Sequence, residues 1–129
     1  MDQAPQAPAI LIVDDDPATL VLLAHYARKL APGHDILTAE NAHSALDQLA
    51  HRNVPLLITD YLLPDMSGLH LIAAVKAASP TTYVVLTSAD NSAALTWQAQ
   101  AQQVDTFLSK LDLLARLGEV LQGALAGAH

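Results

Sequence analysis

The sequence predicts an α/β protein in which helices cover both faces of an open, parallel β-sheet. Five short apolar runs alternate with five segments of helical character along the 129 residues. The runs are almost continuously apolar, which is typical of strands buried on both faces. Hydrophobic residues make up 52 % of the chain, enough to fill one core. We therefore expect a single doubly wound domain.

The strands are predicted where apolar or β-branched residues stand between breakers, at 9–13, 35–39, 56–60, 82–87 and 106–108. The run at 56–60 is the central strand of this prediction, because it ends in the carboxylate of Asp60. Pro64 and Gly68 then prevent the strand from continuing. A charge at the end of a buried strand is costly unless it is solvated, paired or metal-bound. We therefore expect Asp60 at the carboxyl rim of the sheet.

The helices are predicted from caps and breakers. The first follows Asp16 as its N-cap and runs over 17–30, before Pro32 and Gly33. The others are expected from 41 or 42 to about 51, over 68–78, from 90 or 91 to about 102, and from an Asp112 cap to about 125. Residues 1–8 are predicted to be a loose tail, 9–126 the domain and 127–129 a short C-terminal tail.

Bulk composition excludes several classes of function. The formal net charge of −7 argues against sequence-independent nucleic-acid binding, which needs clustered Lys and Arg. There is no cysteine for a disulfide or a thiolate metal site. No apolar stretch approaches the roughly 20 residues of a membrane span, and residues 1–8 lack the cationic start and the apolar core of a signal peptide. A cytoplasmic location, without membrane association, is expected.

Four of the predicted strands end in polar residues, namely Asp14-Asp15, Asp60, Thr87 and Lys110. The carboxyl ends of parallel strands share one edge of a sheet, where α/β proteins bind ligands. Close carboxylates repel one another, and an all-oxygen site with free water positions suits Mg²⁺. Lys110 and Thr87 could then hold phosphoryl oxygens while Asp60 acts as a nucleophile.

This ordered set, with Pro64, Gly68 and the run Phe107-Leu108-Ser109-Lys110, resembles the receiver domains of bacterial two-component response regulators, the CheY-like family. The resemblance covers about residues 9–126 and implies a flavodoxin-like sheet with strand order 2-1-3-4-5. It also implies a phosphorylation-controlled switch that is not an enzyme for outside substrates and catalyses only its own phosphorylation and dephosphorylation. The phosphoryl donor would be a sensor histidine kinase or a histidine phosphotransfer protein.

Residue roles follow from the same resemblance. Asp60 would accept the phosphoryl group and bind Mg²⁺ directly with Asp15 and the backbone carbonyl of Leu62, while Asp14 acts through water. Thr87 and Lys110 would hold the phosphoryl oxygens, and Phe107 would be the aromatic switch residue that turns inward when Thr87 moves.

Two departures from the family pattern qualify these expectations. Leu111 stands where the family has a proline after a cis peptide, and a cis bond without proline costs about 2.5–4 kcal/mol, so this loop is expected to be strained or rearranged to trans. Phe107 lacks the tyrosine hydroxyl common at the switch position, which leaves a packing switch.

Apolar residues of the last two helices predict a partner surface, with a second copy of the chain as one candidate partner. The surface is formed by Trp97, Leu113, Leu117 and Val120. The alternative is that Trp97 and Ala101 face the core and Leu95 does not. Two other functions stay open: a degenerate receiver that acts as a phosphorylation-independent interaction module, and a small Mg²⁺-dependent phosphohydrolase. The second would need a substrate pocket and cap for which 129 residues leave little room.

Overall fold

A computed structural model describes residues 6–89 and 104–126 of the chain. Five parallel strands form one sheet in the order β2-β1-β3-β4-β5, which confirms the predicted fold and strand order. The strands are β1 Ala9–Val13, β2 Asp35–Ala39, β3 Leu56–Asp60, β4 Tyr83–Ser88 and β5 Thr106–Ser109. The helix predicted at 90–102 lies outside the described residues.

Five helices occur in the described ranges: α1 Pro17–Leu30, α2 Ala42–Leu49, α3 Gly68–Ala78, α4 Lys110–Ala115 and α5 Leu117–Ala126. Asp16 caps α1, as predicted, and its carboxylate accepts the N–H of Ala18 at 3.3 Å. Asn41 and Ser67 cap α2 and α3 in the same way. Hydroxyl, amide and carboxylate caps thus satisfy N–H groups that have no partner within their own helix.

The core has two halves, one on each face of the sheet. Helices α2 and α3 pack on one face, where Leu11, Leu57 and Leu71 are fully buried. Helices α1, α4 and α5 pack on the other, around Ile10 and Ile12. Strands β1 and β3 are buried along their whole length, because both of their faces are covered. No helix in these two ranges is long and apolar enough to cross a membrane.

Strand register brings the polar strand ends to one edge of the sheet. Val13 lies beside Thr59, Asp60 beside Thr87, and Ser88 beside Ser109. The residues that follow these positions therefore emerge together at the carboxyl rim.

The prediction that one last helix begins after an Asp112 cap is wrong. The Ser109 hydroxyl accepts the N–H of Asp112 at 3.1 Å, so α4 begins at Lys110, and Asp112 lies inside its first turn. The backbone leaves helical geometry at Arg116 (φ −119°, ψ 20°), and α5 starts at the next residue.

The prediction that Leu113 and Leu117 face a partner is also wrong. Their exposed fractions are 1 % and 3 %, and both belong to the core half formed with α1. Val120 is half-buried against the same cluster. The wide apolar arc arises because α4 and α5 both turn apolar residues onto the sheet. Trp97, the fourth residue of the predicted surface, lies outside the described residues.

Candidate metal centre

Three carboxylates converge at the carboxyl rim. Asp14 and Asp15 follow β1, and Asp60 is the last residue of β3. Each can place an oxygen within 4.8 Å of an oxygen of the other two, and in the described part of the chain this is the acidic cluster able to hold a metal ion. Asp14 and Asp60 are buried, whereas Asp15 is exposed. The site therefore has a buried floor and one side open to solvent.

Lys110 bridges the two buried carboxylates. Its Nζ lies 3.0 Å from Oδ2 of Asp14 and 3.1 Å from Oδ2 of Asp60. Burial lowers the pKa of Lys110, but hydrogen bonds to Asp14 and Asp60 outweigh it, so the pKa is raised. The ammonium group is therefore firmly protonated, and it offsets part of the negative charge of the cluster.

The Leu111 departure does not remove Lys110 from the site. Lys110 and Leu111 are the first two residues of α4, and Leu111 is 80 % exposed. Ser109 caps this helix, and the Lys110 side chain reaches both buried carboxylates.

Asp60 occupies an unfavourable place for a charge. Its exposed fraction is 6 %. Burial raises the pKa of Asp60 above its ordinary value, and the Asp14 charge acts in the same direction, while Lys110 and the N–H of Leu62 oppose both. A metal ion would relieve the same repulsion, because it would supply positive charge at the open side of the cluster.

Backbone contacts orient Asp14 and place Asp16 outside the cluster. The N–H of Asp16 donates to Oδ1 of Asp14 at 2.9 Å, which leaves Oδ2 for Lys110. The Asp16 carboxylate instead accepts the hydroxyl of Thr19 at 2.6 Å as part of its capping role. A hydrogen bond from Thr19 is the main cause of the lowered pKa of Asp16.

Thr87 lies beside Asp60 in the sheet, and its hydroxyl donates to the carbonyl of Thr59 across a long 3.4 Å contact. Phe107, on the neighbouring strand, is partly buried against the core half that contains α2 and α3. The structure thus places Thr87 at the rim and Phe107 one strand away, on a packed face.

The segment after Asp60 is a closed loop. Leu62 and Ser67 form an antiparallel bridge, and the N–H of Gly68 donates to the carbonyl of Tyr61 at 2.7 Å. A Cβ atom on Gly68 would lie 2.2 Å from the Asp60 carbonyl oxygen, so the loop can approach the strand end only with glycine there. Leu62 is 70 % exposed at the mouth of the site.

Sequence reasoning missed Asp65. Its carboxylate accepts the backbone N–H groups of Ala42 and His43, which lie 23 and 22 residues earlier in the chain. No local pattern signals this contact, because a helix cap is ordinarily sought in the residues next to the helix.

The donor set suits a hard divalent cation. Three carboxylates, with no thiolate or imidazole among them, are oxygen donors of the kind that Mg²⁺ takes in proteins. Asp14, Asp15 and Asp60 could hold such an ion. The Lys110 ammonium group, beside Asp60, could bind an anionic group that enters the site next to the ion.

Comparisons with known proteins agree with this arrangement. A family model of the response regulator receiver domain matches residues 10–122. The chain is 32 % identical over 119 residues to the DNA-binding transcriptional regulator NtrC of Azospirillum brasilense, covering 92 % of this chain and 24 % of that protein. It is 34 % identical over 101 residues to the transcriptional regulatory protein GlrR of Escherichia coli K12, covering 78 % of this chain and 22 % of that protein.

Solved structures show the same fold. The chemotaxis protein CheY4 of Vibrio cholerae superposes with a TM-score of 0.82 at 22 % identity, covering 92 % of this chain and 98 % of that one. The signal receiver domain of an HD domain-containing protein from Pseudomonas fluorescens Pf-5 superposes with a TM-score of 0.72 at 26 % identity, covering 98 % of this chain and 95 % of that one.

The chain spans only about a quarter of the length of the curated relatives it matches. The correspondence therefore concerns one domain of those proteins. Since the family match runs through nearly all of the described structure, this chain belongs to the response regulator receiver domains of two-component systems.

Proposed function

We propose that this domain is a phosphoacceptor switch, in which Mg²⁺-dependent phosphorylation of Asp60 changes the packing around Thr87 and Phe107. The observation that carries the proposal is the Lys110 bridge: one ammonium group contacts both Asp14 and Asp60 inside a three-carboxylate cluster. A purely structural salt bridge would need one carboxylate, whereas phosphoryl transfer needs a nucleophile, a metal site and a separate cation.

Asp60 is the carboxylate placed to act as the nucleophile. One oxygen of Asp60 would attack the phosphorus of a phosphohistidine, forming a P–O bond as the P–N bond breaks. The electron pair of the broken bond stays on the imidazole nitrogen of the donor. Lys110 would compensate the negative charge that remains on the phosphoryl oxygens, because its Nζ already lies 3.1 Å from the carboxylate.

Asp15 and Asp60, with the backbone carbonyl of Leu62, would hold Mg²⁺ directly, and Asp14 would hold it through water. Bound there, the ion supplies positive charge to the transferring phosphoryl group. Exposed Asp15 marks the side from which the ion and the donor enter.

Thr87 and Phe107 would carry the signal away from the site. The Thr87 hydroxyl has only a 3.4 Å contact with the Thr59 carbonyl, a distance at which a hydrogen bond is weak. A phosphoryl oxygen on Asp60 would be a stronger acceptor, so Thr87 would turn toward it. Phe107 has no hydroxyl, so its response would be a change in packing.

Histidine kinases or histidine phosphotransfer proteins are the donors that receiver domains meet, and we propose one of them as the partner. The domain would span residues 9–126, and we propose that it works in the cytoplasm. The alternative of a degenerate, unphosphorylated module depended on the missing proline after Lys110. The two Lys110 contacts favour the phosphorylated switch instead.

The roles of Lys110 and Thr87 can be tested through the rate of phosphorylation by acetyl phosphate with Mg²⁺, followed by intact mass. We expect Lys110→Ala and Thr87→Ala to react roughly a hundredfold to a thousandfold more slowly than wild type, since each removes a group that stabilises charge on the phosphoryl oxygens.

Lys29→Ala and Thr38→Ala are matched controls, because both residues are exposed and lie outside the cluster. Circular dichroism establishes that each variant is folded. If Lys110→Ala reacts as fast as Lys29→Ala, the proposed role of Lys110 is wrong.

A further inference from the structure

Asp65 links two elements that are distant in sequence. It lies in the loop between β3 and α3, but its Oδ1 accepts the N–H of Ala42 at 2.9 Å, and its Oδ2 accepts the N–H of His43 at 2.9 Å. Nδ1 of His43 also contacts Oδ2. The loop that follows the proposed phosphoacceptor is therefore fastened to the start of α2.

This contact completes the N-terminus of α2. The first N–H groups of a helix have no partners within it. Asp65 satisfies those of the first two residues, and Asn41 accepts the N–H of Ser44 at 2.7 Å. The hydrogen bond from Ala42 is the largest cause that lowers the pKa of Asp65 to about 2, so the carboxylate is charged at neutral pH. Its charge lies at the positive end of the helix dipole.

The same contact fixes the apex of the loop. The base of the loop is held by the N–H of Tyr61, which donates to the carbonyl of Thr87 at 2.8 Å, and by the Leu62–Ser67 bridge. The apex, residues 63–66, lies beyond that bridge. Asp65 ties it to α2, and the partly buried Leu63 and Met66 pack against the core.

We propose that Asp65 is a positioning residue for the metal site, which it serves by anchoring this loop so that the Leu62 backbone stays against Asp60. The proposal rests on the proposed function, since the Leu62 carbonyl is one of the expected ligands. The N–H of Leu62 also acts to lower the pKa of Asp60, so a shift of this segment would alter both the ligand and the nucleophile.

The first test is free of metal. In Asp65→Ala, hydrogen exchange of the backbone amides of residues 62, 63 and 65–67, measured without Mg²⁺, should be faster than in wild type; Pro64 has no amide hydrogen. The second is Mg²⁺ affinity by isothermal titration calorimetry, which should fall about tenfold, the lower end of what the loss of an outer partner costs a metal site.

Asn41→Ala is the matched control. It removes the other cap of the same helix end and leaves the loop anchor in place. Both variants should speed amide exchange in the first turn of α2, but only Asp65→Ala should speed it in the loop and weaken Mg²⁺ binding. Equal Mg²⁺ affinities for the two variants would overturn the proposal, because Asp65 would then be only a helix cap.

Failure of this proposal can be told from failure of the proposed function. If wild type neither binds Mg²⁺ nor accepts a phosphoryl group, the proposed function is wrong. If wild type does both and Asp65→Ala matches Asn41→Ala, only the positioning role is wrong. Should Asp65→Ala fail to fold, Asp65→Asn, which keeps one acceptor oxygen, is compared with Asn41→Ala by the same two measurements.

Discussion

Asp60 shows how one residue can combine a cost to stability with a chemical role. Burial raises its pKa, and the neighbouring Asp14 adds repulsion, so the ionised form is held at a cost to the folded state. Lys110 lowers that cost without removing it. A buried carboxylate of this kind is common at sites where charge is used chemically.

Replacing Asp60 tests this cost. Because the pKa of Asp60 is raised in the folded state, the folded protein binds its proton more tightly than the unfolded chain does. The contribution of Asp60 to the free energy of unfolding should therefore fall as pH rises through the carboxyl range, and the stability of Asp60→Asn relative to wild type should rise over the same range.

At pH 7 without Mg²⁺, Asp60→Asn should consequently be more stable than wild type in urea unfolding. Asp16→Asn is the control, since that carboxylate is exposed and its pKa is lowered, not raised. A less stable Asp60→Asn variant with the same pH dependence as wild type would contradict this account.

At the scale of the elements, local caps were predictable and distant contacts were not. Asp16 followed directly by Pro17 predicts the start of α1 from neighbouring residues alone, and the structure confirms it. At the start of α4 the predicted cap was Asp112, but the structure has Ser109 in that role, because the Ser109 hydroxyl accepts the N–H of Asp112. The Asp65 cap could not be predicted, because it depends on the position of a loop 23 residues away.

The same scale explains the error about Leu113 and Leu117. Helical periodicity shows that a helix has a wide apolar arc, but not which part of the arc the sheet covers. In the structure both residues pack among the residues of α1 and the central strands. They are core residues, so shortening either side chain should lower the free energy of unfolding.

Leu113→Ala should lower the free energy of unfolding by about 2–5 kcal/mol, as expected for a buried leucine, and leave the oligomeric state unchanged. Leu111→Ala is the matched control, because Leu111 is 80 % exposed and should change stability little. Urea unfolding and light scattering measure the two effects. A change of oligomeric state in Leu113→Ala without loss of stability would contradict the core assignment and show that Leu113 lies at an interface.

At the scale of the whole molecule, the site is a consequence of parallel strand register. Asp14, Asp60 and Lys110 are far apart in sequence, but each follows or ends a strand of the same sheet, so the rim brings them within 3.0 and 3.1 Å contacts. This convergence was predictable from the sequence, because strand ends can be identified locally. The exact partners of each oxygen were not, since they depend on side-chain geometry at the rim.

The most direct test of the central claim is the intact mass of wild type and Asp60→Asn after incubation with acetyl phosphate and Mg²⁺, with a parallel sample in a chelator. The account predicts the mass of one phosphoryl group on wild type, only with Mg²⁺, and none on Asp60→Asn. Equal labelling of Asp60→Asn, or labelling of wild type in the chelator, would contradict the assignment of Asp60 as a Mg²⁺-dependent phosphoacceptor.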